Sequence, residues 1–171
     1  MGRFVKTVDL INRRVGRAVS WLVLGVVLLQ FCVVVFRYLF GVNSAEVQEI
    51  ITIMHGVVFM LAAAWVLQSD KHVRVDIFYH DAAPRNKMRV NIAGTLLFLL
   101  PTMVIILVYG FPYVAESWQV LEGSPEASGV RLRYLQKAAI LVFALMMMMQ
   151  GLSVLLHALA ARDGKANVDD N

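Results

Sequence analysis

One cysteine, four prolines and a charged fraction of only 16% are the scarcities that narrow this 171-residue sequence most. The single thiol, Cys32, stands inside an apolar run, so neither a disulfide framework nor a set of thiolates for zinc or an iron–sulfur centre can be assembled. It reads as a small packed or lipid-facing hydrophobe. Soluble domains carry about 25% charged and about 45–50% apolar residues. Here 59% are hydrophobic and the mean hydropathy is +0.67, more apolar surface than a water-soluble fold can hide. The net charge of +4 and pI of 9.5 invite a nucleic-acid reading. The basic residues form no single stripe interleaved with exposed aromatics, which argues against one. Also missing from every apolar stretch is the cluster of polar residues, interrupted helix or paired half-helices expected where a substrate and coupling ions bind at mid-bilayer. The chain therefore reads as neither an enzyme nor a carrier, with no cofactor of its own.

What is present is a membrane pattern. A hydrocarbon core of about 30 Å needs roughly 20 apolar residues in a helix, because every backbone N–H and C=O must be paired within the segment. Four stretches qualify, at about 18–36, 47–67, 90–115 and 138–161, giving an all-α membrane protein with a single four-helix transmembrane domain over 1–161. The basic segment before the first stretch resembles the start of a secretory signal, but the apolar run is too long for one and ends in Phe36, Arg37, Tyr38, Leu39 and Phe40 rather than in small residues. An uncleaved anchor is expected. Of the 16 Lys and Arg residues, twelve fall in the N-terminal segment, the second-to-third connection and the tail, against four on the other side. That asymmetry places both termini in the cytoplasm. Between the first two spans, Asn43 and Ser44 offer an N-cap, with Glu46 at capping-box spacing from Asn43. Between Gln68 and Met88, Val73, Val75 and Ile77 alternate with His72, Arg74 and Asp76, a pattern suited to a short interfacial segment. Residues 162–171 read as a disordered tail.

Ionisable groups inside a span are functional candidates by default, since a charge at the bilayer centre costs at least about 2.5–3.5 kcal/mol. Glu49 lies one turn into the second span on the face of Glu46, and Arg37 closes the first span on the same side, so an ion pair of Arg37 with Glu46 or Glu49 is expected. The competing reading is that both carboxylates complement their helix N-terminus and reach water. On the fourth span Gln150, Ser153 and His157 form one narrow polar stripe, which should face protein. Gly56 and the alanines Ala62 to Ala64 let another backbone approach the second span. The run Met146 to Met149 points around its whole helix and suits packing rather than metal. His55 and His157 raise the alternative of a haem- or quinone-associated anchor of a respiratory enzyme. Depth argues against haem: from the presumed outer ends His55 lies about 13 Å into its span and His157 about 30 Å, at 1.5 Å per residue.

Taken in order, Phe36, Arg37 and Tyr38, then Ala45 to Glu49 opening a span, then Asp70, Lys71, His72, Val73, Arg74, Val75 and Asp76 after it, form a set that resembles the small membrane subunit (DctQ-like) of the tripartite ATP-independent periplasmic (TRAP) transporters. His72 to Asp76 is its most specific element. One departure is Ala83 before Pro84, where family members often have serine. The resemblance implies a sodium-driven importer of organic acids in the bacterial inner membrane. A periplasmic substrate-binding protein would capture the substrate, and a large membrane subunit would carry it using the sodium gradient. The small subunit would be a scaffold that helps dock the binding protein, its partners being those two proteins and membrane lipid.

Overall fold

The computed structural model describes residues 2–72, 83–125 and 129–169, with the side chains of 84, 85 and 161–169 left aside. The described residues form five α-helices: α1 Gly2–Phe40, α2 Ala45–Gln68, α3 Pro84–Gly94, α4 Leu100–Gln119 and α5 Arg133–Asp169. A π-helical turn, Thr95–Leu99, joins α3 to α4. Four helical stretches are long and apolar enough to cross a membrane, Gly2–Phe40, Ala45–Gln68, Asn86–Gln119 and Arg133–Ala160, as the hydropathy pattern predicts. Each exceeds its expected bounds at one end or both. The α5 backbone continues as helix through Asp169, along residues expected to form a disordered tail. Of the interfacial segment expected between Gln68 and Met88, residues 73–82 lie outside the described part.

Local chemistry explains the boundaries. Gly41 adopts φ +67°, a left-handed conformation that costs glycine nothing and lets the chain turn back within four residues. Ser44, not Asn43, caps α2: its hydroxyl accepts from the Val47 N–H. Asn43 Oδ1 is taken by Arg37 instead, at 2.9 Å, so Glu46 is not at the capping-box position. Ala83 caps α3 without a side-chain bond, and Pro84 supplies the preset φ of a first helical residue. The π turn precedes Pro101, which has no N–H for the carbonyl four residues back. Widening the helix by one residue, with Leu100 N–H bonded to Thr95 O, fits the ring into a continuous rod. At the far end of α4, Leu121 takes φ +46° while Glu122 N–H bonds Ser117 O at 2.9 Å and Leu121 N–H bonds Trp118 O at 3.3 Å. These are the two bonds of a Schellman stop, with leucine where glycine is usual.

Helix α5 is the centre of the molecule, packing against α1, α2 and α4, while α1 and α2 pack along each other. Ala64, Met103, Ala144 and Met147 form the buried cluster, so one of the four consecutive methionines fills the core. Most large apolar side chains point outward, including Trp21, Phe98 and Tyr109. A surface so apolar is compatible with lipid and not with water. The α1–α2 turn and the α4–α5 connection share one end of the bundle, called here the turn end; both termini lie at the other, the termini end.

Candidate functional site

At the turn end, α2 places Glu49 one turn below its cap, beneath the α4–α5 connection. Its carboxylate accepts from the Val130 N–H at 2.8 Å and stands 3.5 Å from Arg133 Nε at the start of α5. Arg133 Nε and Glu49 Oε1 are both buried atoms with no hydrogen bond among the described residues, so their attraction is ionic rather than a well-formed bond. The connection closes tightly because Gly129 leaves no room: a Cβ there would lie 2.1 Å from Ser124 Cβ and 2.5 Å from Glu49 Oε2. The expected pairing of Arg37 with either glutamate is therefore corrected. Arg37 bonds Asn43 and Glu46 is exposed, because Arg133 and a backbone amide reach Glu49 first. Arg37 still shares with Glu49, Gln48, Thr52 and Arg133 an open pocket at this end.

Beside it, Glu122 and Lys137 form a close ion pair, with the Lys137 ammonium 4.0 Å above the Tyr113 ring and Trp118 edge-on to Tyr134 at 5.0 Å. This clamp ties the end of α4 to the start of α5. The Lys137 ammonium holds the Glu122 carboxyl below its ordinary range, more than its partial burial raises it. For a depressed carboxyl the stabilisation is complete above the ordinary carboxylate pKa and is lost as pH falls through the lowered folded value. Wild type should thus exceed Glu122→Gln in thermal stability at neutral pH, and the gap should close only below the usual carboxylate range. A gap that is unchanged from pH 7 to strong acid would remove the ion pair from the account.

Near the termini end lies a network only half visible in the sequence. Gln150 (2% exposed) accepts from Asn12 Nδ2 at 2.6 Å and donates to Asp9 Oδ1 at 3.1 Å; Ser153, fully buried, donates to the same oxygen at 3.2 Å. His157 Nε2 stands 3.8 Å from Asp9 Oδ2, and Gln68 donates to the Asp9 carbonyl at 3.0 Å. Gln150 and Ser153 of the α5 stripe thus face protein, with Asp9 and Asn12 as their partners, whereas His157, at the end of the stripe, is exposed with its side chain 66% accessible. Asp9 and Asn12 were missed because the N-terminal segment reads as a basic lead-in. The signal was there: Val5, Val8, Asn12, Gly16 and Val19, all buried, recur at steps of three and four along α1.

The remaining candidates are placed as follows. Gly56 faces α5, where a Cβ would meet Gln136 Nε2 at 3.1 Å. His72 is exposed just beyond α2; Val73, Arg74, Val75 and Asp76 lie outside the described residues. His55 is exposed on α2 and His157 turns to Asp9, so each has its own surroundings. Among the described residues no three His, Cys, Asp or Glu side chains gather as a metal site would need.

Comparison with known proteins gives one result. The model of the family described as tripartite ATP-independent periplasmic transporters, DctQ component, matches residues 26–161. No curated protein and no solved structure matches the chain.

Proposed function

The chain belongs to the DctQ family, the small membrane component of the TRAP transporters, a transporter and not an enzyme family, and from that premise we propose that it is the scaffold subunit of a sodium-coupled importer of organic acids. It holds the large carrier subunit in place and presents its turn end to the periplasmic substrate-binding protein. The observation that carries this reading is the use made of its polar side chains. Asp9, Asn12, Gln150 and Ser153 bind helix to helix, and Glu49, Glu122, Arg133 and Lys137 fasten the turn end. A carrier's polar groups would instead converge on a ligand at mid-bilayer. The respiratory-anchor alternative has no support from the family match.

The test is reconstitution. Vesicles holding this chain, the large subunit and added binding protein should accumulate a labelled organic acid from a panel when a sodium gradient is imposed, and vesicles holding this chain alone should not. Uptake by the chain alone would overturn the proposal.

Both termini lie in the cytoplasm on this reading, by the basic asymmetry. With Cys32→Ala removing the native thiol, a membrane-impermeant maleimide added to intact spheroplasts should label Val120→Cys, which is exposed beyond α4, and spare Lys165→Cys. The reverse pattern would invert the topology.

A further inference from the structure

Helix α2 is the most enclosed along its length of the first two helices, yet it keeps one narrow exposed stripe. Below Glu46 its exposed residues are Gln48, Thr52, His55 and Phe59, at steps of four, three and four, which align them on a single face. Three of the four are polar. Thr52 returns its hydroxyl to Gln48 O at 3.0 Å, and Gln48 reaches Gln30 of α1 only at 3.5 Å. His55 has no hydrogen-bond partner among the described residues, and it stands ten residues into a 24-residue span. That is close to the helix midpoint, about 15 Å from its start at 1.5 Å per residue.

Hydrocarbon is an unsuitable neighbour for this stripe. A neutral imidazole has one N–H donor and one bare nitrogen acceptor, and lipid tails satisfy neither, so a membrane-embedded polar group normally faces protein. The stripe also runs directly into the turn-end pocket, whose lining includes Arg37, Gln48, Glu49, Thr52 and Arg133 and so holds two guanidinium groups against one carboxylate. That excess of positive charge selects the occupant. A second copy of this chain related by a twofold axis through the stripe would bring Arg37 against Arg37, and like charges across an interface are strongly disfavoured.

We propose that Gln48, Thr52 and His55 form the contact surface for one transmembrane helix of the large carrier subunit, a helix that offers His55 a hydrogen-bonding side chain and Arg37 an acidic or neutral polar group. The proposal rests on the scaffold reading above and specifies the face that performs it. Polar contacts of this kind between membrane helices are individually modest. Loss of the His55 contact should therefore weaken association by about three- to twenty-fold rather than abolish it.

The experiment places a benzophenone amino acid at position 52, at position 55, or at the outward-facing Tyr109 of α4, in the full chain co-expressed with its transporter partners and carrying an affinity tag. After illumination, positions 52 and 55 should give an adduct with the mass of this chain plus the large subunit, and position 109 should give none. His55→Leu should lower the yield of co-purified large subunit and His55→Asn, which keeps a donor and an acceptor, should restore part of it. Co-purification without adducts at 52 and 55, adducts at 109 alone, or adducts of twice this chain's mass would overturn the surface while leaving the scaffold reading intact. Failure of the large subunit to co-purify with the unsubstituted chain would overturn the scaffold reading itself.

Discussion

Replacing Gln150 with leucine should destabilise the protein by about 1–3 kcal/mol, the usual cost of leaving buried polar partners unsatisfied. Gln150 is the hub between α1 and α5: it accepts from Asn12 and donates to Asp9, and both it and Asn12 are 2% exposed. The leucine fits the same space, so packing changes little while Asn12 loses its acceptor and Asp9 one of its donors. Hydrogen bonds between membrane helices average about 0.6 kcal/mol, with a maximum near 1.7. Two bonds lost at one side chain raise the expectation above that average. Asn12→Leu alone should cost less, because Gln150 keeps Asp9. The double change should fall short of the sum of the singles by about 1 kcal/mol, since it removes the Asn12–Gln150 pair together. Thermal or denaturant unfolding in detergent micelles reads all three. Wild-type stability in Gln150→Leu would reduce the network to a coincidence of placement.

A comparable loss is expected from a single methyl group at Gly16. A Cβ there would lie 2.5 Å from both Cγ and Cδ2 of Trp65, and an indole is rigid. Something must move by roughly an ångström, and because Trp65 is partly buried on α2 and meets Gly16 with the base of its rigid ring system, the clash drives α1 away from α2. Overpacking of this kind costs about 1–3 kcal/mol. Because Asn12 lies one turn away on the same face of α1, the retreat also stretches its bond to Gln150. Trp65→Leu in the Gly16→Ala background should recover part of the loss by providing a side chain that can yield. Gly94 supplies the contrast. It is helical with nothing within 4 Å of its Cβ position, so Gly94→Ala should be neutral or stabilising, by up to about 1 kcal/mol of helix propensity. If Gly16→Ala and Gly94→Ala behave alike, close approach of α1 to α2 does not organise the bundle.

How much of this could be read from residues alone depended on the range of the interaction. The four spans follow from local apolar content, and the stripe of Gln150, Ser153 and His157 from the helical period, both properties of contiguous sequence. Arg37 was matched with Glu49 for the same local reason, twelve positions apart across a tight turn. The ionic partner of Glu49, Arg133, arrives from 84 positions away, carried over α2 by a connection whose path depends on Gly129 having no side chain. No periodicity signals such a meeting. Asp9 and Asn12 were obscured differently. Hydropathy windows respond to continuous apolar runs, and the first 17 residues mix five cations with a thin buried line of Val5, Val8, Asn12 and Gly16. That line becomes visible only when α1 is taken as one helix from Gly2 and its polar members are counted as core. The π turn before Pro101 has a local cause, the proline's missing N–H.

The exposed stripe on α2 illustrates the same division. Histidine at position 55 was weighed as a haem ligand because histidine invites that question, and depth along the chain answered against it. Only burial shows that its side chain faces outward from the protein with Thr52 and Gln48, which changes the question from cofactor to partner.

The most direct measurement of the central claim is affinity purification of the tagged chain from native membranes in a mild detergent, followed by identification of what accompanies it and an absorption spectrum of the pool. A scaffold subunit should bring with it a large polytopic membrane protein in near-equimolar amount and show no haem absorption. Recovery of the chain alone, or together with a respiratory enzyme and a Soret band, would contradict the account.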